Sequence, residues 1–259
     1  GGRSATAIFC HGLGDSADGW IDTVREFAKT MPWIKFIVPT APTRPITLNG
    51  GMPMPAWFDI ISLSPGDADK MAGLDDTVKY LDTLIEAEVA GGIGYDRILL
   101  GGFSQGAAIS LYGGLSRPAD KKIGGVIAFS GFMPNPSSFS VAGSEHVPVY
   151  QTHGDVDPVV NIQWGKLTHE LLKSKGCDNL EFEVLPGVPH SVNNEAMRNA
   201  ALFLSKMLPD DASKNVPAKD PSTMSVKELR AAIAEHGLQN QARGLSEKSE
   251  FVALLKTVL

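Results

Sequence analysis

The chain has 259 residues, 43% of them hydrophobic and 20% charged, which describes a globular protein with one large domain and room for a small appendage. Its formal net charge of −6 argues against the broad basic surface that nucleic-acid binding needs. Two cysteines, Cys10 and Cys177, are too few for a disulfide framework and sit in no metal-ligand spacing, which fits a reducing, cytoplasmic setting.

No apolar run approaches the ~20 residues of a membrane span, and no secretory leader is visible. The chain starts Gly1-Gly2 without Met, and Gly2 to Thr6 has the outline of a lipidation signal. That stretch is read instead as a remnant leading straight into the first strand.

Short β-like runs then alternate with amphipathic helices. Ala5 to Cys10 is an apolar strand that ends at His11-Gly12. Trp20, Val24 and Phe27 share one face of a helix over 20–29, and a second strand covers Lys35 to Pro39. Met71, Leu74, Val78, Leu81 and Ile85 recur at three and four, predicting a helix over 69–89. Arg97 to Leu100 is a strand running into glycines, and Ala107 to Leu115 continues as a helix. Strands at 125–129, 147–152 and 180–185, with helices at 162–173 and 195–208, complete the series. Strands alternating with helices predict an α/β class with a doubly wound, mostly parallel sheet.

Two segments break the pattern. Ala41 to Pro65 is rich in Pro, Gly and Met without a strong period, and reads as a functional loop after a strand. After Leu208 the composition shifts. The catalytic unit is therefore taken as 1–208, a linker as 209–223 and a small helical module as 224–259. In that module Ser225 and Glu228 form a capping box ahead of Val226, Leu229 and Ile233, and Gly237 stands where a C-terminal cap belongs. A second helix from about Ser246 would bury Phe251, Leu254, Leu255 and Val258.

Chemistry concentrates at Gly102-Phe103-Ser104-Gln105-Gly106, between the run Ile98-Leu99-Leu100 and a helix. Strand, sharp turn and helix are the setting in which such a serine is exposed as a nucleophile. Its hydroxyl needs a base, and behind such an elbow the acid and then the histidine follow in chain order. His190, in the loop between the last strand and the last helix of the catalytic unit, fits the base. His146 precedes a strand, His169 falls in a helix and His236 lies in the tail. Asp157 and Asp155 compete as the acid. Asp157 has the better reach, while Asp155, beside Gly154, is read as bonding the turn and His153 as closing it. Gln105 and Leu13 are the candidate backbone donors of an oxyanion hole, and His11 is read as packing.

Taken together, His11-Gly12-Leu13-Gly14-Asp15, Asn49-Gly50-Gly51-Met52 through Pro55-Ala56-Trp57-Phe58-Asp59, the Gly102 to Gly106 elbow, His153-Gly154-Asp155 with Asp157-Pro158, and Pro189-His190-Ser191 resemble the acyl-protein thioesterase and small carboxylesterase (lysophospholipase-like) family over roughly residues 4 to 208. The resemblance implies an α/β-hydrolase fold, a Ser104–Asp157–His190 triad, and hydrolysis of acyl thioesters or carboxylic esters in S-acylated proteins or lipid esters, with no metal or organic cofactor. It implies too that 45–63 covers an acyl channel, with Met54, Trp57, Ile60, Ile61 and Leu63 as lining. Ala107 departs from the family, which commonly has a second glycine there.

The rival readings are a general carboxylesterase or lysophospholipase without a protein substrate, and an inactive binding protein that kept the fold. The tail lies outside this pattern and resembles a SAP-type helix–extended-loop–helix module, or the similar carboxy-terminal module of some secretory-pathway proteins. Its six Lys/Arg against five Asp/Glu over 217–259 give little phosphate footprint, so protein contact, or simple stabilisation of the enzyme, is expected rather than DNA binding.

Overall fold

The computed structural model describes residues 2–64, 67–217, 219–235, 238 and 241–256. Strand β1 (Ala5–Cys10) pairs on one side with β2 (Ile34–Ile37) and on the other with β5 (Ile98–Phe103). Beyond β5 follow β6 (Gly125–Phe129), β7 (Val149–Gly154) and β8 (Leu180–Leu185), and every pair in the order β2-β1-β5-β6-β7-β8 is parallel. The central strands β5 and β6 are apolar throughout because both their faces are covered.

Period-two alternation divides each strand between two cores. Ile8, Cys10, Ile98, Leu100, Val126 and Ala128 face helices α2 (Leu74–Ala90), α3 (Gln105–Leu115) and α4 (Ile162–Ser174). Ala5, Ala7, Phe9, Leu99, Ile127 and Phe129 face α1 (Ile21–Thr30) and α5 (Asn194–Met207). A fully buried ring such as Phe129 contributes about 2–3 kcal/mol relative to exposure. Edge strand β8 carries Glu181 and Glu183, charges that discourage pairing with another chain.

Helix α2 starts at Leu74, not at residue 69. Asp69 is bound by the Ser137 N–H and hydroxyl, the Ala72 carbonyl accepts from Asp59 N–H, and Gly73 turns left-handed with φ 84°. Met71 is buried, but on an irregular strap ahead of the helix, so its spacing from Leu74 marks burial and not helix. The 41–65 segment likewise holds more order than expected. Strands β3 (Thr43–Ile46) and β4 (Met52–Pro55) form an antiparallel hairpin, with Asn49-Gly50-Gly51 at its turn. Strand β7 begins at Val149 because Pro148 cannot donate to the ladder.

The first half of the expected linker is pinned to the amino-terminal edge of the sheet. The buried Arg97 guanidinium donates to the Ser4 carbonyl at 2.8 Å and to the Pro209 carbonyl at 2.6 Å. Trp33 Nε1 donates to the Leu208 carbonyl, and Val216 exchanges backbone hydrogen bonds with Arg3 while packing on the larger core.

Farther on, α6 (Val226–Glu235) and α7 (Lys248–Leu255) share a separate core of Met224, Leu229, Ile233, Leu238, Phe251 and Leu255, with Leu254 packed against it. Ser225 and Glu228 bond each other's backbone N–H groups as a capping box. His236, Gly237 and Val258 lie outside the described residues.

Candidate active site

Strand order reverses between β1 and β5, and such a switch point opens a crevice at the carboxyl ends of the two strands. The turn His11 to Asp15 leaves β1 there, and Ser104 caps β5 there.

Ser104 holds φ 54° and ψ −115°, a conformation that costs a non-glycine residue about 1–3 kcal/mol. Its N–H donates to the Phe129 carbonyl at 2.8 Å, which ties the turn to β6. A Cβ at Gly106 would collide with the Cys10 carbonyl oxygen and sit 2.6 Å from that of His11. A Cβ at Gly102 would run into the backbone of Gly106 and Ala107. Glycine is therefore required on both sides, because β5, α3 and the end of β1 meet backbone to backbone. Gln105 is the first residue of α3, so its N–H has no acceptor within the helix and the helix dipole points its positive end at the crevice.

The loop after β7 brings Asp157 to His190. Asp157 Oδ2 accepts from His190 Nδ1 at 2.7 Å, while Oδ1 accepts from the N–H groups of Val159 and Val160 at 2.8 and 2.9 Å. Held by three donors and 5% exposed, the carboxylate has one orientation. Since Nδ1 carries that proton, His190 Nε2 is the basic nitrogen. The imidazole lies against the Phe103 ring, 4.7 Å between centroids, one residue before Ser104.

Asp155 takes the Gly187 N–H at 2.6 Å, clamping the histidine-bearing loop to the end of β7. His153 is fully buried, donates from Nε2 to the Val160 carbonyl at 2.7 Å, and has its titration pushed down by burial. His146 is exposed and paired with Asp178, and the His169 ring lies tilted against Phe182.

On the other side of the crevice, Gly14 N–H donates to the Pro55 carbonyl at 2.8 Å and Asp15 N–H to the Gly12 carbonyl, fixing the turn around Leu13. His11 is buried, donating from Nδ1 to the Gly12 carbonyl and accepting the Ala41 N–H on Nε2.

The five residues expected to line a channel do not share one environment. Met54 is half-buried beside Gly14, Leu63 packs partly on the larger core, and Ile61 is 39% exposed. Trp57 and Ile60 are core residues, which corrects their expected role as lining. The indole is fully buried and its N–H is engaged by the His11 carbonyl at 2.8 Å, so it offers no open face to a ligand.

The Gln105 side chain escaped the sequence reading, which considered only its backbone. It is buried, accepts from Trp57 N–H at 2.9 Å and donates to the Phe58 carbonyl at 2.7 Å. The available signal was an amide heading the run Gly106 to Leu115, whose other polar groups are only the Ser110 and Tyr112 hydroxyls, since a buried amide must find partners.

A family model described as Phospholipase/Carboxylesterase matches residues 2–208. The chain belongs to that family of hydrolases. The acyl-protein thioesterase 1 homolog 1 of Dictyostelium discoideum is 45% identical over 211 residues, covering 80% of this chain and 92% of the relative. Among solved structures, Zea mays acyl-protein thioesterase 2 is 28% identical with a TM-score of 0.68, covering 80% of this chain and 95% of the other. Arabidopsis thaliana SOBER1 is 26% identical with a TM-score of 0.71, covering 79% and 99%. The family match stops at residue 208, so the helical module lies outside it.

Proposed function

We propose that the chain is an acyl-protein thioesterase that works through an acyl-enzyme on Ser104. The observation that carries the reading is the 2.7 Å bond from His190 to Asp157, with the imidazole against Phe103, the residue before a serine on a strained strand-to-helix turn. Ser104 Oγ attacks the acyl carbon while His190 Nε2 takes its proton. The developing oxyanion is held by the backbone N–H groups of Leu13 and Gln105. As the tetrahedral adduct collapses, the C–S bond breaks and His190 returns the proton to the departing thiolate. Water then attacks the acyl-serine with the same histidine as base, releasing the acid and restoring the hydroxyl. Asp157 orients the imidazole and stabilises its cation without taking the proton.

The acyl chain is assigned to the apolar side chains beside the hairpin, namely Met54, Ile61 and Leu63, with flexible Met54 next to the Leu13 turn. The thioester preference is supported by the names of the Dictyostelium and maize relatives. The family description favours a second reading, an esterase acting on lipid esters without a protein substrate. Buried, unpaired Cys10 and Cys177 support a cytoplasmic location, and among the described residues no helix is long and apolar enough to cross a membrane. The module over 224–259 is assigned to protein contact.

Hydrolysis of an S-palmitoylated peptide, a lysophospholipid and a short nitrophenyl ester separates these readings. The thioesterase reading expects the highest kcat/KM on the S-acyl peptide. Preference for lysophospholipid supports the lipid esterase, and no turnover of any of them supports a binding protein.

A further inference from the structure

We infer that the segment Pro55 to Phe58 is a brace that sets the spacing of the two oxyanion donors, with Trp57 and the Gln105 side chain as positioning residues. The inference rests on Leu13 and Gln105 being those donors, and concerns what holds them.

The two donors come from different strands, β1 and β5, and each lies on a turn. Two tight turns do not by themselves keep two N–H groups at a fixed separation, and an error of about 1 Å in such an arrangement costs up to 10²-fold in rate. Four hydrogen bonds from one four-residue segment reach both turns. On the β1 side, the Pro55 carbonyl accepts Gly14 N–H at 2.8 Å, one residue after Leu13, and the Trp57 indole N–H donates to the His11 carbonyl at 2.8 Å, two residues before it. On the β5 side, Gln105 Oε1 accepts Trp57 N–H at 2.9 Å and Gln105 Nε2 donates to the Phe58 carbonyl at 2.7 Å. The amide thus pairs with consecutive residues as a neighbouring strand would.

The brace itself is held firmly. Ala56, Trp57 and Phe58 are fully buried, Thr77 donates its hydroxyl to the Trp57 carbonyl, and Ala56 N–H donates to the Pro42 carbonyl at 3.1 Å. The two turns touch beneath it, where the His11 carbonyl and Gly106 are packed backbone to backbone. Indole, amide and glycine together make the Leu13 and Gln105 turns one rigid body. This accounts for a buried tryptophan and a buried glutamine in positions where packing alone would accept apolar side chains.

The test is steady-state kinetics on a short thioester for Trp57→Phe, which keeps a ring and removes the N–H, and for Gln105→Met, which keeps length and removes both polar atoms. A trifluoromethyl ketone, whose adduct oxygen uses the same donors, reads the transition state, and the free fatty acid product reads ground-state binding. Ser104→Ala is the control for the reading of the site itself.

The brace predicts that kcat falls about tenfold or more in each variant with KM within about twofold. Ketone affinity should fall in proportion, and fatty-acid affinity should stay unchanged. If Gln105→Met does not fold, Trp57→Phe alone decides. Unchanged kcat and ketone affinity in folded Trp57→Phe would overturn the brace, as would a change in KM alone. Turnover that persists in Ser104→Ala would instead overturn the site assignment on which it rests.

Discussion

Asp157 and His190, 33 positions apart in the chain, meet at 2.7 Å, and the other oxygen of that carboxylate is bound by the N–H groups of Val159 and Val160. The backbone donors leave Oδ2 a single direction, and the imidazole stands in it. The proton held on Nδ1 frees Nε2 to act as base.

Asp157→Asn keeps the volume but offers an amide where a carboxylate stood, favouring the wrong tautomer. Its kcat should fall by about 10³- to 10⁴-fold with the fold intact, measured on a short thioester. Asp155→Asn, which weakens only the Gly187 clamp, should lose no more than about tenfold, because Asp157 and His190 keep their direct bond. Equal losses in the two variants would move the acid's role away from Asp157.

Gly106→Ala places a methyl against the Cys10 carbonyl and the α3–β1 contact, where only backbone can give way. Urea unfolding should show a destabilisation of about 3 kcal/mol or more, at the upper end of what overpacking costs. Gly187→Ala meets no atom within 4 Å but has φ 69°, so its strain should cost only about 1 kcal/mol.

Burial pushes the His153 titration below the ordinary 6.5, outweighing the Val160 carbonyl and the Asp157 carboxylate, which pull it up. Below pH 6.5 the unfolded chain takes up a proton there that the folded protein does not, so stability is fully present above that pH and is lost as pH falls. His169 is shifted in the same direction, mainly by burial, and adds to the loss. Urea midpoints recorded from pH 7.5 to 5 should therefore decline, and the decline should shrink in His153→Gln.

The 208–216 strap makes two truncations unequal. A chain ending at Pro217 keeps the Arg97–Pro209 and Arg3–Val216 bonds and should retain kcat within about twofold, as expected of a unit with its own core. A chain ending at Leu208 leaves the Arg97 guanidinium short of a partner and should be about 2–4 kcal/mol less stable in urea.

Much of this was legible in the residues because periodicity and elbow chemistry are local. The β1, β5 and β6 runs alternate between two cores, and Gly102-Phe103-Ser104-Gln105-Gly106 announces its turn through steric necessity. Other features depend on partners far along the chain. Met71 kept helical spacing although the chain bends left-handed at Gly73, and the hairpin over 43–55 carries prolines that obscure its alternation. The amphipathic character of Trp57 suits a ligand wall as well as a core, and its full burial and its bond to the His11 carbonyl, neither visible in the sequence, distinguish them. The 209–223 stretch reads as a linker from its composition, while its attachment depends on Arg97 and Arg3, each more than ninety positions away.

The central claim is that Ser104 is the nucleophile and His190 its base. Intact-mass spectrometry after exposure to a fluorophosphonate tests it most directly. The account predicts one adduct per chain, mapped to Ser104, absent in Ser104→Ala and slowed by orders of magnitude in His190→Ala. An adduct on another residue, or an undiminished rate in His190→Ala, would contradict it.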